Sequence, residues 1–164
     1  MTFVVRQPTT SDVAAVAELH VSTWREAYTH LLPEGFFSEE YIARRHEMWH
    51  HVLSNPRDDV VVRVAESAGR IIGFAWVGPG RDLAGNEAPR DRHLYAIYVA
   101  AAHHGSGAAQ LLLDETLGDA PAMLWVAKEN PRAIAFYVRN GFEFDGVENV
   151  DPAAPMITDA QMVR

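Results

Sequence analysis

Residues 98 to 113 read YVAAAHHGSGAAQLLL: an apolar run, glycines at 105 and 107 around Ser106, and at once a second apolar run of helical composition. Where a strand passes directly into a helix, the first helical N–H groups have no partner inside the helix, and the helix dipole adds positive charge there. Such a turn is a ready anion site, and glycines let backbone amides come close to phosphate oxygens because no Cβ intervenes. Ser106 adds a hydroxyl donor. A tight turn that needs positive φ would use the same glycines, so the pattern alone leaves both readings open. Two familiar phosphate loops do not fit. Gln110 stands where the dinucleotide fingerprint needs a third small residue, and no acidic ribose ligand ends a second strand downstream. The Lys-Ser/Thr pair of a Walker A loop is absent after the glycines.

A second chemical pattern lies at residues 46 to 50, His-Glu-Met-Trp-His. On a helix His46 and His50 are one turn apart and could share a zinc ion, with Glu47 activating water, as in a zinc hydrolase. The continuation HVLSNP supplies neither the glycine nor the third histidine of the metzincins, and Glu66 falls on an expected strand rather than a second helix. The alternative is a solvated helix face beside Trp49. No metal is expected.

The rest of the chain bounds these readings. Its 164 residues suit one domain, 1–164, with a core large enough to need neither disulfide nor structural metal. Without cysteine, a disulfide framework, a thiolate zinc site and a covalent Cys intermediate are all excluded. A formal charge of −8 argues against a nucleic-acid partner, which needs a basic footprint. No signal-peptide pattern opens the chain and no run of about 18 apolar residues occurs, so a cytoplasmic protein without a membrane partner is expected.

The elements that must position the glycine turn follow from periodicity. A strand over 3–7 leads to a helix opened by Thr9 and Asp12, with Val13, Val16, Ala17, His20 and Trp24 at helical spacing. HLLPEG at 30–35 breaks it, and a second helix runs from about Ser38 to Leu53. VVVRVAES and RIIGFAWVG form a hairpin joined at Ala68-Gly69, followed by a polar loop over 79–92. LYAIYVA at 94–100 has the unbroken apolar character of a strand buried on both faces. A helix over 108–117 ends at Gly118, MLWVA at 123–127 is another buried strand, and Pro131 to Arg139 is a helix closed by Asn140-Gly141. Two strands, 142–147 and 156–163, complete an order β-α-α-β-β-β-α-β-α-β-β. One helical crossover links strands 94–100 and 123–127, so these should be parallel neighbours in a mixed α/β fold.

The glycine turn and a second block together resemble the GNAT superfamily of N-acetyltransferases. The pyrophosphate loop of that family reads Gln/Arg-x-x-Gly-x-Gly/Ala, and His104, Gly105, Ser106, Gly107, Ala108 and Ala109 fall on it, with His104 departing from Gln or Arg. The block WVAKENPRAIAFYVRNGFEF at 125–144 resembles the family's strand, Asn turn, Phe-Tyr helix and Gly-Phe ending. The resemblance implies a central, mostly antiparallel twisted sheet with helices on both faces. It also implies that the parallel strands splay at their carboxyl ends around the pantetheine arm of acetyl-CoA.

It further implies roles. Asn130 matches the residue that contacts pantetheine, and Tyr137 matches the general acid that protonates the leaving thiolate. Val99 is placed at the thioester carbonyl, at a bulge ending the fourth strand, with Ile97 and Tyr98 lining the arm. His93 and Glu26 are candidates to take the amine proton, with a water-mediated route as the alternative. Tyr28 and Phe36 are candidates for the acceptor pocket, and Trp24 is expected in the core. An N-acetyltransferase acting on a primary amine is the leading reading, and a CoA-binding sensor without turnover is a second. Because dimers are frequent among similar proteins, a homodimer is left open.

Overall fold

The structure is a computed structural model that describes residues 2–82 and 87–164. Its elements in chain order are β1 (Val4–Arg6), α1 (Val13–Tyr28), α2 (Glu39–Ser54), β2 (Val61–Ser67), β3 (Arg70–Pro79), β4 (Arg92–Val99), α3 (Ala108–Thr116), β5 (Met123–Ala127), α4 (Pro131–Arg139), β6 (Glu143–Asn149) and β7 (Asp159–Val163). All seven strands form one sheet in the order β1-β2-β3-β4-β5-β7-β6. Every pairing is antiparallel except β4 with β5, which is parallel. Among the described residues no helix is long and apolar enough to cross a membrane. The polar loop expected over 79–92 is shorter by a residue at each end, because Pro79 and Arg92 pair with one another across the sheet. Its residues 83–86 lie outside the described residues.

The helices begin where local chemistry favours it. A 3-10 turn over Thr10–Asp12 leads into α1, and the Asp12 carboxylate accepts from the Thr9 N–H at 2.8 Å. The Ser38 hydroxyl accepts from the Tyr41 N–H at 3.1 Å to cap α2. Asn130 caps α4 ahead of Pro131, whose missing N–H costs nothing in a first turn. Apolar stripes then sort the helices onto the two faces of the sheet. Val16, Ala17 and Leu19 of α1 and Trp49 of α2 pack on Val62, Val64, Phe74 and Ala96. On the other face Ala108 and Leu112 of α3 cover Ala65, Ile72 and Ala75, while Tyr137 of α4 joins Leu113, Leu124, Val126, Phe142 and Met162.

Two features of β4 create the site. The register with β3 slips between the pairs Trp76–Ala96 and Val77–Leu94, which makes Tyr95 the extra residue of a bulge. Pairing with β5 covers only His93–Met123 and Leu94–Leu124 and stops at that bulge. A bulge bends and over-twists its strand, so β4 leaves β5 while β5 stays bonded to β7 along its whole length. The parallel pair therefore splays toward its carboxyl ends. The bulge lies at Tyr95, four residues ahead of Val99 where the resemblance put it.

Two buried histidines make the fold sensitive to acid. His20 sits among Trp49, Phe74 and Tyr98, and its Nδ1 accepts from Trp49 Nε1–H at 3.0 Å. Burial, helped by nearby Arg45, pushes its pKa down to about 3. Burial and then Arg81 push His93 down to about 4. Both stay neutral at pH values where the same side chains in an unfolded chain, near 6.5, take up a proton. Between about pH 6.5 and 4 the unfolded chain thus binds more protons, and stability is lost as pH falls through that window. Each such proton gives a slope of roughly 1.4 kcal/mol per pH unit. Calorimetry should show Tm falling steadily from pH 7 to pH 5; a level Tm over that range would contradict the burial of neutral imidazoles.

Candidate active site

The splay opens a cleft of about 700 Å³ between the carboxyl ends of β4 and β5. Its floor is Ile97, Tyr98 and Val99. One wall is the turn and first helical residues from His104 to Gln110, and the other is the start of α4 with Asn130, Arg132, Phe136 and Tyr137. Thr23, Glu26 and Ala27 of α1 close one side.

Backbone geometry makes the floor a polar edge. The Ala100 N–H bonds the Ile72 carbonyl at 2.8 Å, which makes the neighbouring pair Val99–Gly73 the narrow kind, without mutual hydrogen bonds. The N–H and C=O of Val99, and by the same alternation those of Ile97, therefore point away from β3 and toward the gap that β5 leaves. The Val99 carbonyl is taken by His104, which leaves the Val99 N–H and the polar groups of Ile97 for an extended ligand to pair with.

The glycine turn is shaped for an anion. Gly105 and Gly107 have φ of 77° and 89°, a left-handed backbone that suits glycine, and a Cβ built on either would meet nothing within 4 Å. The space in front of them is thus open, as a phosphate cradle requires. The backbone ladder of α3 starts with the Leu111 N–H to the Gly107 carbonyl, and the Ser106 N–H bonds the His103 carbonyl at 3.2 Å, so the amides of Gly105, Gly107 and Ala109 are the ones left for a ligand. Ser106 does not line the cleft: its Oγ accepts from the Ala108 N–H at 3.3 Å, which uses one of those amides. Gly105, Gly107, Ala108 and Ala109 all line the cleft. His104 lies at its mouth and donates from Nε2 to the Val99 carbonyl at 2.9 Å.

Tyr137 is buried to 8 % exposure, and its phenol pKa is pushed up, chiefly by burial, with no hydrogen bond contributing. Tyr137 is among the residues that line the cleft. Asn130 is more committed than the sequence showed. Its Oδ1 accepts from the Ala133 N–H at 3.1 Å as a helix cap, and its Nδ2 donates to the Tyr28 hydroxyl at 3.0 Å.

Three candidates are not brought to the cleft. His93 sits at the amino end of β4, paired with Met123, whereas the cleft begins at Ile97. Four strand residues separate them by roughly 13 Å, and burial removes the ring from solvent, so the structure does not support it as a base. Tyr28 is buried and acts as a strut under Asn130. Phe36 stacks on Trp24 at 6.5 Å and meets Tyr41 at 5.0 Å, outside the cleft lining. Trp24 is half-buried and donates from Nε1 to the Tyr98 hydroxyl at 2.9 Å. Conversely, Thr23, Glu129, Arg132 and Arg139 line the cleft without having been singled out. Glu129 and Arg132 could have been found by their positions just before and after the Asn130-Pro131 helix start.

The HEMWH segment lies on α2 with Trp49 turned into the core and Glu47 and His50 exposed. Among the described residues no group of three His, Cys, Asp or Glu side chains is placed to hold a metal ion.

Comparison with known proteins agrees with this geometry. The profile of the family described as "Acetyltransferase (GNAT) family" matches residues 15–142. YuaI of Bacillus subtilis, an uncharacterized N-acetyltransferase, is 28 % identical over 157 residues, covering 87 % of this chain and 86 % of its own. An uncharacterized N-acetyltransferase of Mycobacterium tuberculosis is 32 % identical over 118 residues, covering 68 % of this chain and 70 % of its own. Among solved structures, the PaiA N-acetyltransferase of Thermoplasma acidophilum in complex with coenzyme A superposes with a TM-score of 0.76 at 19 % identity, over 100 % of this chain and 99 % of that one. A ribosomal-protein-alanine N-acetyltransferase of Brucella melitensis gives 0.73 at 22 % identity, over 98 % of both chains. A glycine turn facing open space, a splayed parallel pair and a profile match across most of the chain lead to one assignment: the protein belongs to the GNAT family and is an acyl-CoA-dependent acyltransferase.

Proposed function

We propose that the protein transfers an acetyl group from acetyl-CoA to the primary amine of a small molecule or of a peptide amino terminus, by direct attack. One observation carries this reading: the glycine turn, the end of β4 from Ile97 to Val99 and Tyr137 line a single cleft.

In this reading the backbone amides of Gly105, Gly107 and Ala109 hold the diphosphate, and the pantetheine arm lies along the edge of Ile97 and Val99, with Tyr98 and Asn130 beside it. The amine nitrogen attacks the thioester carbonyl carbon, and the Val99 N–H faces the oxyanion that forms. Backbone donors fixed before the reaction are an efficient way to stabilise such charge. The C–N bond forms, the C–S bond breaks, and the departing thiolate takes the proton of Tyr137. Glu26, which lines the α1 side of the cleft, receives the amine proton directly or through water. Without cysteine no acyl-thiol enzyme intermediate is available, which favours the direct route.

A panel of small amines and short peptides, assayed with acetyl-CoA by thiol detection, tests the reading. CoA release that depends on one class of amine is expected. Tight CoA binding with no release from any amine would replace the transferase reading with that of a binding module.

A further inference from the structure

The donor site holds an unpaired cation on the wall opposite the glycine turn. Arg132, in the first turn of α4, lines the cleft and reaches across its mouth to His104, with Nη1 in contact with Nδ1 and 2.9 Å from Nε2. Because the His104 Nε2–H is donated to the Val99 carbonyl, Nδ1 is the nitrogen with a lone pair to accept from the guanidinium. Among the described residues no carboxylate forms an ion pair with Arg132. What sets Arg132 apart is its place: an exposed guanidinium that lines the same cleft as the glycine turn and touches the first residue of that turn. The turn from 104 to 109 carries no Lys or Arg of its own. Arg139, two turns further along α4, also lines the cleft, but its guanidinium lies over the Phe136 ring at 6.0 Å.

We propose that Arg132 is the donor-binding cation of this enzyme, gripping the phosphate groups of the coenzyme from α4 while the glycine turn holds them from α3. His104 acts as a positioning residue that aims the guanidinium. The two walls of the cleft, which follow β4 and β5 respectively, would then be tied together by the bound donor. This inference rests on the acetyl-CoA reading above, and its test separates the two.

The test is calorimetric titration of wild type and Arg132→Ala with CoA, beside turnover with S-acetylpantetheine, a donor without phosphates. Arg132 is exposed, so the variant should fold normally. Arg132→Ala is expected to weaken CoA binding roughly tenfold and to lower the slope of log affinity against log salt, with a clearly smaller loss for S-acetylpantetheine, which has no phosphate to lose. Because the two side chains touch, His104→Arg in the Arg132→Ala background should put a cation back in the same place and recover most of the affinity. Wild type that fails to bind CoA would end the acetyl-CoA reading itself. If wild type binds CoA, this inference alone is overturned by any of three results: equal affinity for Arg132→Ala, an equal loss with the phosphate-free donor, or a double variant no better than the single one.

Discussion

Tyr137→Phe is expected to lower turnover by roughly tenfold or more, the range in which loss of a positioned acid falls, while CoA affinity stays unchanged. The side chain is 8 % exposed and no hydrogen bond contributes to its state, so removing the hydroxyl leaves no orphaned partner and little packing to repair. A phenol whose pKa is raised by burial is a poor acid toward a hydrated thiolate. Once the donor fills the cleft, however, the developing thiolate is desolvated in the same place, which raises its own proton affinity and brings the two groups toward balance. The deficit should therefore appear in kcat and in kcat/KM alike, as for an interaction made only in the transition state. Steady-state kinetics with a calorimetric CoA titration checks this; unchanged kcat would remove Tyr137 from its role.

Gly107→Val should weaken CoA binding by roughly tenfold or more. Two causes act together. At φ of 89° a β-branched residue is a conformational outlier, and left-handed backbone costs an L-residue roughly 1–2 kcal/mol. The new side chain would also occupy the open space in front of the turn, where nothing of the protein lies within 4 Å of the Cβ. The residue is exposed, so circular dichroism should be unchanged. Equal affinity of variant and wild type for CoA would count against the turn as the phosphate cradle.

Much of this architecture was legible because local chemistry and tertiary structure agree. Ala68 and Gly69, the expected hairpin joint, both adopt positive φ between β2 and β3. The α4 boundaries fall where Pro131 and Asn140-Gly141 set them. Strand β7 starts at Asp159 rather than 156 because the turn that begins in DPAAP runs through Met156, with the Ile157 N–H bonded to the Ala154 carbonyl at 3.1 Å. What failed to show were facts about which end of an element opens and how a helix is rotated. His93 and Val99 sit on one strand, and only the bulge at Tyr95 decides that the carboxyl end leaves β5. Tyr28 and Phe36 were expected at the acceptor pocket, yet the rotation of α1 presents Thr23, Glu26 and Ala27 there instead. Arg132 was marked only by its place just after the Asn130-Pro131 helix start, since an exposed arginine in a helix's first turn follows no periodicity.

A crystal structure of the CoA complex measures directly whether the backbone amides of Gly105, Gly107 and Ala109 hold a diphosphate. It should show phosphate oxygens within hydrogen-bond distance of those amides and the pantetheine arm along Ile97 and Val99. Coenzyme bound elsewhere with the turn still facing solvent would contradict it.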